Sequence, residues 1–286
     1  FGSSPFGTKP AAILGAAPPA RQQRPRATAP SEMSWSTVEE AVDAFRRGEL
    51  VMVMDSDDRE DECDLVCAAE NVTPQLMAFI IRHSTGIVCI STEKDRLEHF
   101  GLHPATSKNT DVNETNFYVS TDFLPGTTTG VSAADRAATA RAFCDLSNKP
   151  ESFSKPGHLF PLCSKPGGVL ERPGHTESTY DLCCLAGVAR VGLLAEMMHD
   201  DGTMYRRDDS LEFARKHKIP IITVPQLIEY RKRPSLSAEP ASASSGLQRR
   251  GAAPAAGGAG QAAPAGRALG FARGAPSRRS GRAPRA

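Results

Sequence analysis

The sequence lacks three features that would place it in a specialised class of protein. Its 286 residues contain no run of about 18 uncharged apolar residues, so no membrane-spanning helix is predicted. They contain no CxxC pair, which argues against a zinc ribbon. Seven cysteines are too few for a disulfide scaffold of this length, and the odd number leaves at least one thiol unpaired. We therefore expect free thiols in a reducing compartment.

Acidic residues are almost missing from the two ends of the chain. Residues 1–31 hold four basic residues and no acid, and residues 235–286 hold eight Arg and one acid. The segment between them, residues 32–234, holds 22 basic and 32 acidic residues, a net charge of −10. Binding to nucleic acid needs clustered Lys and Arg. The acidic body therefore predicts no nucleic-acid partner and favours divalent cations.

The ends also lack hydrophobic periodicity, which predicts three regions. Residues 1–33 are expected to be a disordered leader or, being acid-free and Arg-bearing, a transit peptide. A fragment that begins at Phe1, or a true start at Met33, is the alternative. Residues 34–234 are expected to form the folded domain, and the Ala/Gly/Pro/Arg-rich residues 235–286 a disordered tail. The expected location is cytoplasmic, or plastid with a transit peptide.

Helix and strand patterns alternate through the middle of the chain. Thr37 and Glu40 have capping-box spacing ahead of a helix that ends at Gly48. Further helices are predicted from residue 73 and over 132–144, 175–187, 209–217 and 225–232, and strands over 50–54, 65–69, 86–90, 191–197 and 219–224. Several strands follow one another directly. The pattern therefore predicts an α/β (α+β) three-layer sandwich with a mixed, twisted β-sheet, in a single domain with disordered termini.

The first candidate site is an acidic segment between the first two predicted strands. Seven of the ten residues 55–64 are Asp or Glu. So much like charge beside a buried strand is costly unless a cation or Arg59 relieves it. Hard oxygen ligands of this kind suit Mg²⁺ or Mn²⁺. An EF-hand is excluded because Arg59 replaces an oxygen ligand and the central Gly is missing. A solvated acidic loop is the alternative on composition alone.

Three further segments hold candidates for chemistry. His158 follows a Pro-Gly pair, which predicts a sharp turn and a strand start with the side chain in a cleft; a structural His is the commoner alternative. Arg172 and His175 precede a helix, where an anion such as phosphate is favoured and His175 can bind a metal. Glu196 ends an apolar strand, and such strand ends face ligand crevices. Its alternative is a structural partner of Arg59 or Arg172.

Seven motifs in one order carry a family resemblance. They are DREDECD (58–64), RHSTGIVC (82–89), TTGVSAADR (128–136), KPGHLFPL (155–162), GGVL (167–170), RPGHTE (172–177) and DDGTM (200–204). Together they closely resemble the 3,4-dihydroxy-2-butanone 4-phosphate synthase family, whose members catalyse an early step of riboflavin biosynthesis. The resemblance covers residues 36–232. Any one motif is weak evidence, whereas seven collinear motifs are highly specific.

The resemblance implies an activity and a cofactor. It implies a carbon–carbon lyase that converts D-ribulose 5-phosphate to L-3,4-dihydroxybutan-2-one 4-phosphate and formate. The implied reaction passes through a metal-stabilised enediol, loss of water, a skeletal rearrangement and loss of formate. The implied metal is Mg²⁺ or Mn²⁺, with no organic cofactor. The implied assembly is a homodimer with active sites at or near the subunit interface, and no membrane partner.

The resemblance also assigns roles to residues by motif. Glu60 and His175 are the implied metal ligands, and His158 and Glu196 the implied catalytic residues for proton transfer. The implied substrate-binding residues are Asp55, Arg59, Glu60, Glu62, Asp64, Arg172, Pro173, Gly174, His175, Thr176 and Glu196.

A few positions depart from the family pattern. Cys63 stands where Gly or Ala is usual, and a thiol beside a metal loop predicts sensitivity to oxidation. Pro173 stiffens a turn that usually holds Gly or Arg. Residues 108–109 and 114–116 also differ, in a loop that is expected to lie near the substrate.

Two hypotheses from other classes remain open at this stage. One is a remnant of a bifunctional enzyme that has lost a GTP cyclohydrolase II domain. That domain would need a Cys-rich zinc site, and residues 235–286 contain no Cys. The other is a non-catalytic scaffold that binds partners through the Arg-rich ends. The intact set of metal and acid/base candidates argues against the scaffold.

Overall fold

A computed structural model describes residues 34–233, in which seven strands form one mixed sheet. The predicted leader (residues 1–33) and the predicted tail (residues 235–286) lie outside the described residues, as does residue 234 at the end of the predicted domain. The strand order is β4-β5-β3-β6-β2-β1-β7. The strands are β1 (Val51–Met54), β2 (Cys63–Ala68), β3 (Cys89–Thr92), β4 (Thr121–Phe123), β5 (Phe153–Cys163), β6 (Val191–Glu196) and β7 (Ile221–Thr223).

Helices cover both faces of the sheet. They are α1 (Val38–Arg46), α2 (Pro74–Arg82), α3 (Lys94–His99), α4 (Ala133–Ala142), α5 (His175–Ala186), α6 (Arg207–His217) and α7 (Val224–Arg231). Neighbouring side chains of a strand point to opposite faces. Met52 of β1 packs in the core that contains α2, α4 and α6, whereas Val53 packs in the core that contains α1, α5 and α7. The three-layer, mixed-sheet prediction is confirmed. None of the helices in residues 34–233 has the length and apolar character needed to cross a membrane.

Helix starts were predictable because their signals are local. Thr37 Oγ1 accepts a hydrogen bond from the Glu40 backbone N–H (3.1 Å), and the Glu40 carboxylate accepts one from the Thr37 N–H (2.8 Å), which confirms the capping box. Thr73 Oγ1 accepts a hydrogen bond from the Leu76 N–H at the start of α2, and Ser132 Oγ accepts one from the Asp135 N–H at the start of α4. Each cap joins residues three positions apart, so sequence spacing alone identifies it.

The β4–β5 pair differs from the prediction. The sequence suggests a turn and a strand start at His158, but β5 runs for 11 residues through Pro156 and Gly157. Thr121 pairs with Leu159 while the next residue of β4 pairs with Ser154, so residues 155–158 bulge out of the ladder. Pro and Gly interrupt a strand pattern, which hides such a bulge from sequence analysis. Three elements were not predicted at all: α3, β4 and the first half of β5. The strand predicted over 86–90 begins only at Cys89.

The strand register brings the candidate residues to one end of the sheet. β1 and β2 are antiparallel, and so are β2 and β6, with Asp64 directly opposite Glu196. The acidic segment between β1 and β2 therefore lies beside the end of β6. Cys89 of β3 is opposite both Leu194 of β6 and Phe160 of β5. His158 precedes Phe160 by two residues, so it lies at the same end of the sheet, two strands away from β6.

Candidate active site

The acidic segment and the start of α5 line a cavity of about 320 Å³. Seven sequence-predicted site residues are in its lining: Arg59, Glu60, Asp64, Arg172, His175, Thr176 and Glu196. The structure therefore brings most of the candidates together. Asp55, Glu62 and His158 lie outside this lining, and Pro173 and Gly174 form the turn that leads into α5.

Asp55 organises the acidic segment from behind the cavity wall. Its carboxylate is buried, and one oxygen accepts hydrogen bonds from the Arg59 guanidinium (2.8 Å) and the Glu60 N–H (3.2 Å). The other oxygen accepts one from the Glu62 N–H (2.9 Å). These bonds close the segment into a compact loop, which turns Glu60 toward the cavity. A carboxylate that accepts several such bonds fixes local backbone shape.

Arg206 holds the same loop from the other side. Its guanidinium donates to the backbone carbonyls of Glu60 (2.7 Å) and Asp61 (2.6 Å). Asp61 has φ of 53°, in the left-handed region that non-glycine residues seldom occupy. The two charge-assisted bonds offset the cost of that conformation, of order 1 kcal/mol. The loop is therefore held in one shape by Asp55 inside it and by Arg206 outside it.

Three side chains of the site fit a divalent cation. Asp55, Glu60 and His175 each offer a ligand atom, and these atoms lie within 4.8 Å of one another. Asp64 Oδ1 and His175 Nε2 are buried and have no hydrogen-bond partner within residues 34–233. Buried polar atoms without partners are costly, and a cation beside them removes that cost. Carboxylate oxygens with one imidazole suit Mg²⁺ or Mn²⁺.

The pKa values of the cluster also indicate a shortage of positive charge. Burial alone would lower the pKa of His175, but the carboxylates of Asp64, Glu60 and Asp55 outweigh it and raise the pKa to about 9. Burial raises the pKa of Asp64 to about 6, with nearby carboxylates adding to the shift. Burial and the charges of Asp64 and Glu60 raise the pKa of Glu196. Acids crowded in this way are stabilised by a bound cation.

Glu196 has a free carboxylate in the cavity. It is the one residue of β6 with an exposed side chain, and within residues 34–233 it makes no hydrogen bond or ion pair through that side chain. Arg59 pairs with Asp55 and Glu60 instead. Arg172 pairs with another acid, so the alternative of Glu196 as a structural partner of either arginine is wrong. An unengaged acid with a raised pKa is suited to proton transfer.

Arg172 fastens a second loop onto the cavity. Its guanidinium donates to the Asn113 carbonyl (2.9 Å), to Thr115 Oγ1 (2.9 Å) and to the Glu177 carboxylate (2.5 Å). Asn113 in turn donates from its side-chain amide to Glu60 (2.5 Å). Asn113 and Thr115 of the loop around residues 108–116 line the cavity, and the expected nearness of this loop to the substrate stays a prediction. Guanidinium carries five N–H donors, so two remain for an anion.

The start of α5 is suited to an anion as well. Gly174 is the N-cap residue, and no side chain caps the helix there. The first amides of a helix have no partner within the helix and carry its positive dipole end. Thr176, in the first turn, lines the cavity together with Arg172. This corner of the cavity therefore offers hydrogen-bond donors to a phosphate.

His158 lies outside the cavity, on the β5 bulge. Its side chain is 47% exposed, and its ring contacts Asp122 of β4, with Nδ1 2.6 Å from the carboxylate. Within one chain, His158 and Glu196 are thus separated by β3, although both lie at the same end of the sheet.

The environment of Cys63 differs from the one expected for an oxidation-sensitive thiol. Its side chain is fully buried in β2, and burial raises the pKa of its thiol far above the ordinary value. Oxidation proceeds through an accessible thiolate, and Cys63 offers neither access nor charge. The predicted sensitivity to oxidation at this position is therefore wrong.

Several residues at the site were missed by sequence analysis. Asn113 contacts Glu60 across 53 residues of sequence, and Arg206 contacts the same segment across 146. Asp122 lies 36 residues before His158. One signal was available for Asp122, which is the only acid between residues 115 and 134. The other contacts depend on how the chain folds, and no local pattern reports them.

Known proteins share both the sequence and the fold. The riboflavin biosynthesis protein RibBA of Aquifex aeolicus (strain VF5) is 50% identical over 204 residues, which are 71% of this chain and 50% of that protein. The 3,4-dihydroxy-2-butanone 4-phosphate synthase of Agrobacterium fabrum is 44% identical over 200 residues, 70% of this chain and 94% of that protein. The bifunctional riboflavin biosynthesis protein RIBA 1, chloroplastic, of Arabidopsis thaliana is 46% identical over 211 residues, 73% of this chain and 39% of that protein.

The chain thus spans half or less of the length of the Aquifex and Arabidopsis relatives and nearly all of the Agrobacterium one. A crystal structure of 3,4-dihydroxy-2-butanone 4-phosphate synthase in complex with two magnesium ions superposes with a TM-score of 0.68 at 35% identity, covering 71% of this chain and 99% of that one. The family model described as 3,4-dihydroxy-2-butanone 4-phosphate synthase matches residues 39–230. The chain belongs to this family of enzymes of riboflavin biosynthesis.

Proposed function

We propose that the chain converts D-ribulose 5-phosphate to L-3,4-dihydroxybutan-2-one 4-phosphate and formate. The observation that carries this proposal is the free Glu196 carboxylate, which shares one cavity with the metal-ligating candidates Glu60 and His175. Membership of the family supports the same reaction. Water leaves in one step and is consumed when formate is released, so substrate and products balance.

Glu60 and His175 are the proposed metal ligands, with the Asp55 carboxylate within reach of both. When bound, Mg²⁺ or Mn²⁺ supplies the positive charge that polarises substrate oxygens and stabilises negative charge on them. We propose Mg²⁺, which is the ion in the related crystal structure, and no organic cofactor. The proton on His175 has to leave before the imidazole can act as a ligand.

Proton transfer is assigned to Glu196 and His158. The first step removes a proton beside the substrate carbonyl, which requires a base within hydrogen-bond reach. Glu196 faces the cavity without a competing partner, and its raised pKa lets it both accept and return a proton. His158 is the proposed second acid/base group because its ring is about half exposed and an imidazole can both accept and donate a proton.

The sugar phosphate is proposed to lie at the start of α5. The amides of His175 and Thr176 and the two remaining N–H donors of Arg172 supply hydrogen bonds to the phosphate, while the Gly174 amide donates to the Arg172 carbonyl (2.9 Å). Arg59 and Asp64 line the cavity on the metal side, where the hydroxyl groups of the sugar would lie. Asp55 and Glu62 contribute by shaping the acidic loop, and Pro173 by shaping the turn before the helix.

A homodimer is the proposed assembly, with His158 acting at the subunit interface. Ile87 and Val131 are 51% and 49% exposed. Arg136 donates to the carbonyls of Gly86 and Val131 and so joins the two apolar positions into one surface near His158. Exposed apolar side chains around a site are typical of an interface. A second copy that covers this surface would explain why His158 lies outside the cavity of its own chain.

Sedimentation velocity of the full chain tests the assembly. The expected species has about twice the 30.5 kDa chain mass. Ile87→Asp is expected to shift the population toward monomer, because a charge buried in an apolar interface is costly. Leu146→Asp, at another exposed apolar position, serves as the control and is expected to leave the dimer intact. A wild-type monomer at micromolar concentration would contradict the proposal.

Formate release from D-ribulose 5-phosphate tests the reaction itself. The full chain is expected to release formate with Mg²⁺ and to lose this activity in EDTA, with recovery when excess Mg²⁺ is added. Formate release that is equal in EDTA would contradict the metal assignment. A folded chain that releases no formate under any condition would contradict the enzyme proposal and favour the scaffold hypothesis.

The cellular location stays a prediction: cytoplasmic, or plastid if residues 1–33 act as a transit peptide. The Arabidopsis relative is named as chloroplastic, which supports the second location. Residues 1–33 lie outside the described residues.

A further inference from the structure

Asp122 and His158 form a two-point contact across the β4–β5 bulge. One carboxylate oxygen of Asp122 accepts the backbone N–H of His158 (2.8 Å), and the other lies 2.6 Å from His158 Nδ1. We propose that Asp122 is a positioning residue, which fixes the tautomer and the direction of the His158 ring. This inference rests on the proposed role of His158 in proton transfer.

The chemistry of the pair determines which ring nitrogen is available. An ionised carboxylate only accepts hydrogen bonds, so the Nδ1 beside it has to carry the proton. Neutral His158 then has a bare Nε2, the atom that can take a proton from a substrate. Asp122 is buried, whereas the His158 side chain is about half exposed. The geometry therefore holds Nδ1 inward and leaves Nε2 on the accessible side.

Two glycines let the backbone approach this pair. Gly130 has φ of 84°, and a Cβ built there would lie 2.0 Å from the Asp122 carboxylate and 2.8 Å from His158 Nδ1. A Cβ on Gly157 would lie 2.1 Å from the carbonyl carbon of Thr121. A side chain at Gly130 would displace the pair itself, and one at Gly157 would displace the β4 backbone that carries Asp122. The Gly130 turn thus packs against the Asp122 carboxylate and the Nδ1 edge of the ring, while the rest of the His158 side chain stays accessible.

The other charged groups nearby do not compete for the Asp122 oxygens. Arg136 is close enough for its charge to interact with Asp122, but its guanidinium donates to the carbonyls of Gly86 and Val131. Asp135, in the first turn of α4, accepts hydrogen bonds from Thr128 and from the Gly130 N–H. Both Asp122 oxygens are therefore committed to His158.

The substitution Asp122→Asn removes the carboxylate that positions the His158 ring while keeping the size of the side chain. Asparagine has nearly the same size but only one acceptor oxygen, whereas His158 presents two N–H groups to this side chain. If the oxygen keeps the backbone N–H, the NH₂ group faces Nδ1, which then has to accept. The ring proton moves to Nε2, and the atom proposed as the base is blocked.

The experiment combines ¹⁵N NMR of the histidine rings with kinetics on the full chain, both made at a pH on the upper plateau of the His158 ¹⁵N shift, where that ring is neutral. The chain has seven histidines, and His158→Gln identifies the His158 signal by its loss. In the wild type we expect the proton on Nδ1. In Asp122→Asn we expect it on Nε2, with kcat for formate release lowered by about 100-fold or more and KM changed by less than about threefold. Asp95→Asn, at an exposed aspartate on α3, is the matched control and is expected to change neither.

The two readouts have to change together. A wild-type ring protonated on Nε2 alone overturns the proposal, and so does a tautomer change without loss of kcat, or a loss of kcat with the tautomer unchanged. If Asp122→Asn does not fold, Asp122→Glu takes its place, because it keeps two acceptor oxygens and is expected to retain the Nδ1 proton. A wild type that releases no formate contradicts the proposed function, while the tautomer measurement, made without substrate, still tests the Asp122 contact.

Discussion

Glu196→Gln is expected to lower kcat for formate release by about 1,000-fold, within the range that a lost general acid/base residue costs. Glutamine keeps the size of the side chain but cannot take up a proton at neutral pH. The fold should not suffer, because within residues 34–233 the Glu196 side chain makes no hydrogen bond or ion pair that the change would break. Removing its charge also relieves repulsion from Asp64 and Glu60. Steady-state formate release, with thermal unfolding measured alongside, checks both expectations.

Glu212→Gln is the matched control for this experiment. Glu212 is an exposed glutamate on α6, away from the cavity lining, so the same change in charge and shape is made outside the site. Its activity is expected to equal that of the wild type. Near wild-type turnover in Glu196→Gln would remove Glu196 from the mechanism, and a large fall in its melting temperature would assign it a structural role instead.

Glu60→Gln is expected to abolish metal binding. The carboxylate of Glu60 faces the same point as the ligand atoms of Asp55 and His175, and a neutral amide is a poor ligand for a hard cation. With Mg²⁺ at 100 times its Kd, binding stabilises the folded wild type by about 2.7 kcal/mol. We expect that increment to vanish in Glu60→Gln, together with formate release. Thermal unfolding with and without Mg²⁺, and a titration with Mn²⁺ followed by electron paramagnetic resonance, measure binding independently of activity.

The control for Glu60→Gln comes from the same loop. Asp58 is an exposed acid two positions before Glu60 and is not among the three metal-ligating candidates. Asp58→Asn is therefore expected to keep the Mg²⁺-dependent rise in stability. An equal rise in Glu60→Gln would show that the metal binds elsewhere, and an equal loss in Asp58→Asn would show that only the total charge of the loop matters.

The parts of the fold that could be predicted depend on interactions between residues close in sequence. The capping box of Thr37 and Glu40 acts over three residues, and the apolar runs of β1 and β6 report burial directly. β4 and the first half of β5 escaped prediction because β4 has only three residues and β5 contains Pro156 and Gly157. Those two residues normally end a strand, but here they form a bulge that is stabilised by the neighbouring strand.

In the candidate site, too, the residues with local sequence signals could be predicted and the contacts between distant segments could not. The acidic segment, the turn before His175 and the strand end at Glu196 each have a local signal, and the structure gathers them around one cavity. What sequence could not supply is the support for these groups. Asn113 beside Glu60, Arg206 across the acidic loop and Asp122 beside His158 are contacts between distant segments. No periodicity or spacing in the sequence encodes them.

Arg206 also links the site to the order in which the chain is synthesised. The acidic loop leaves the ribosome early, but the guanidinium that holds the carbonyls of Glu60 and Asp61 follows 146 and 145 residues later. β7, the partner of β1, comes later still. A nascent chain that ends before residue 206 therefore carries the acidic loop without the Arg206 hydrogen bonds that hold it. If the proposed ligands bind the metal, we expect uptake in the native geometry only after residue 206 has been made and has folded onto the loop.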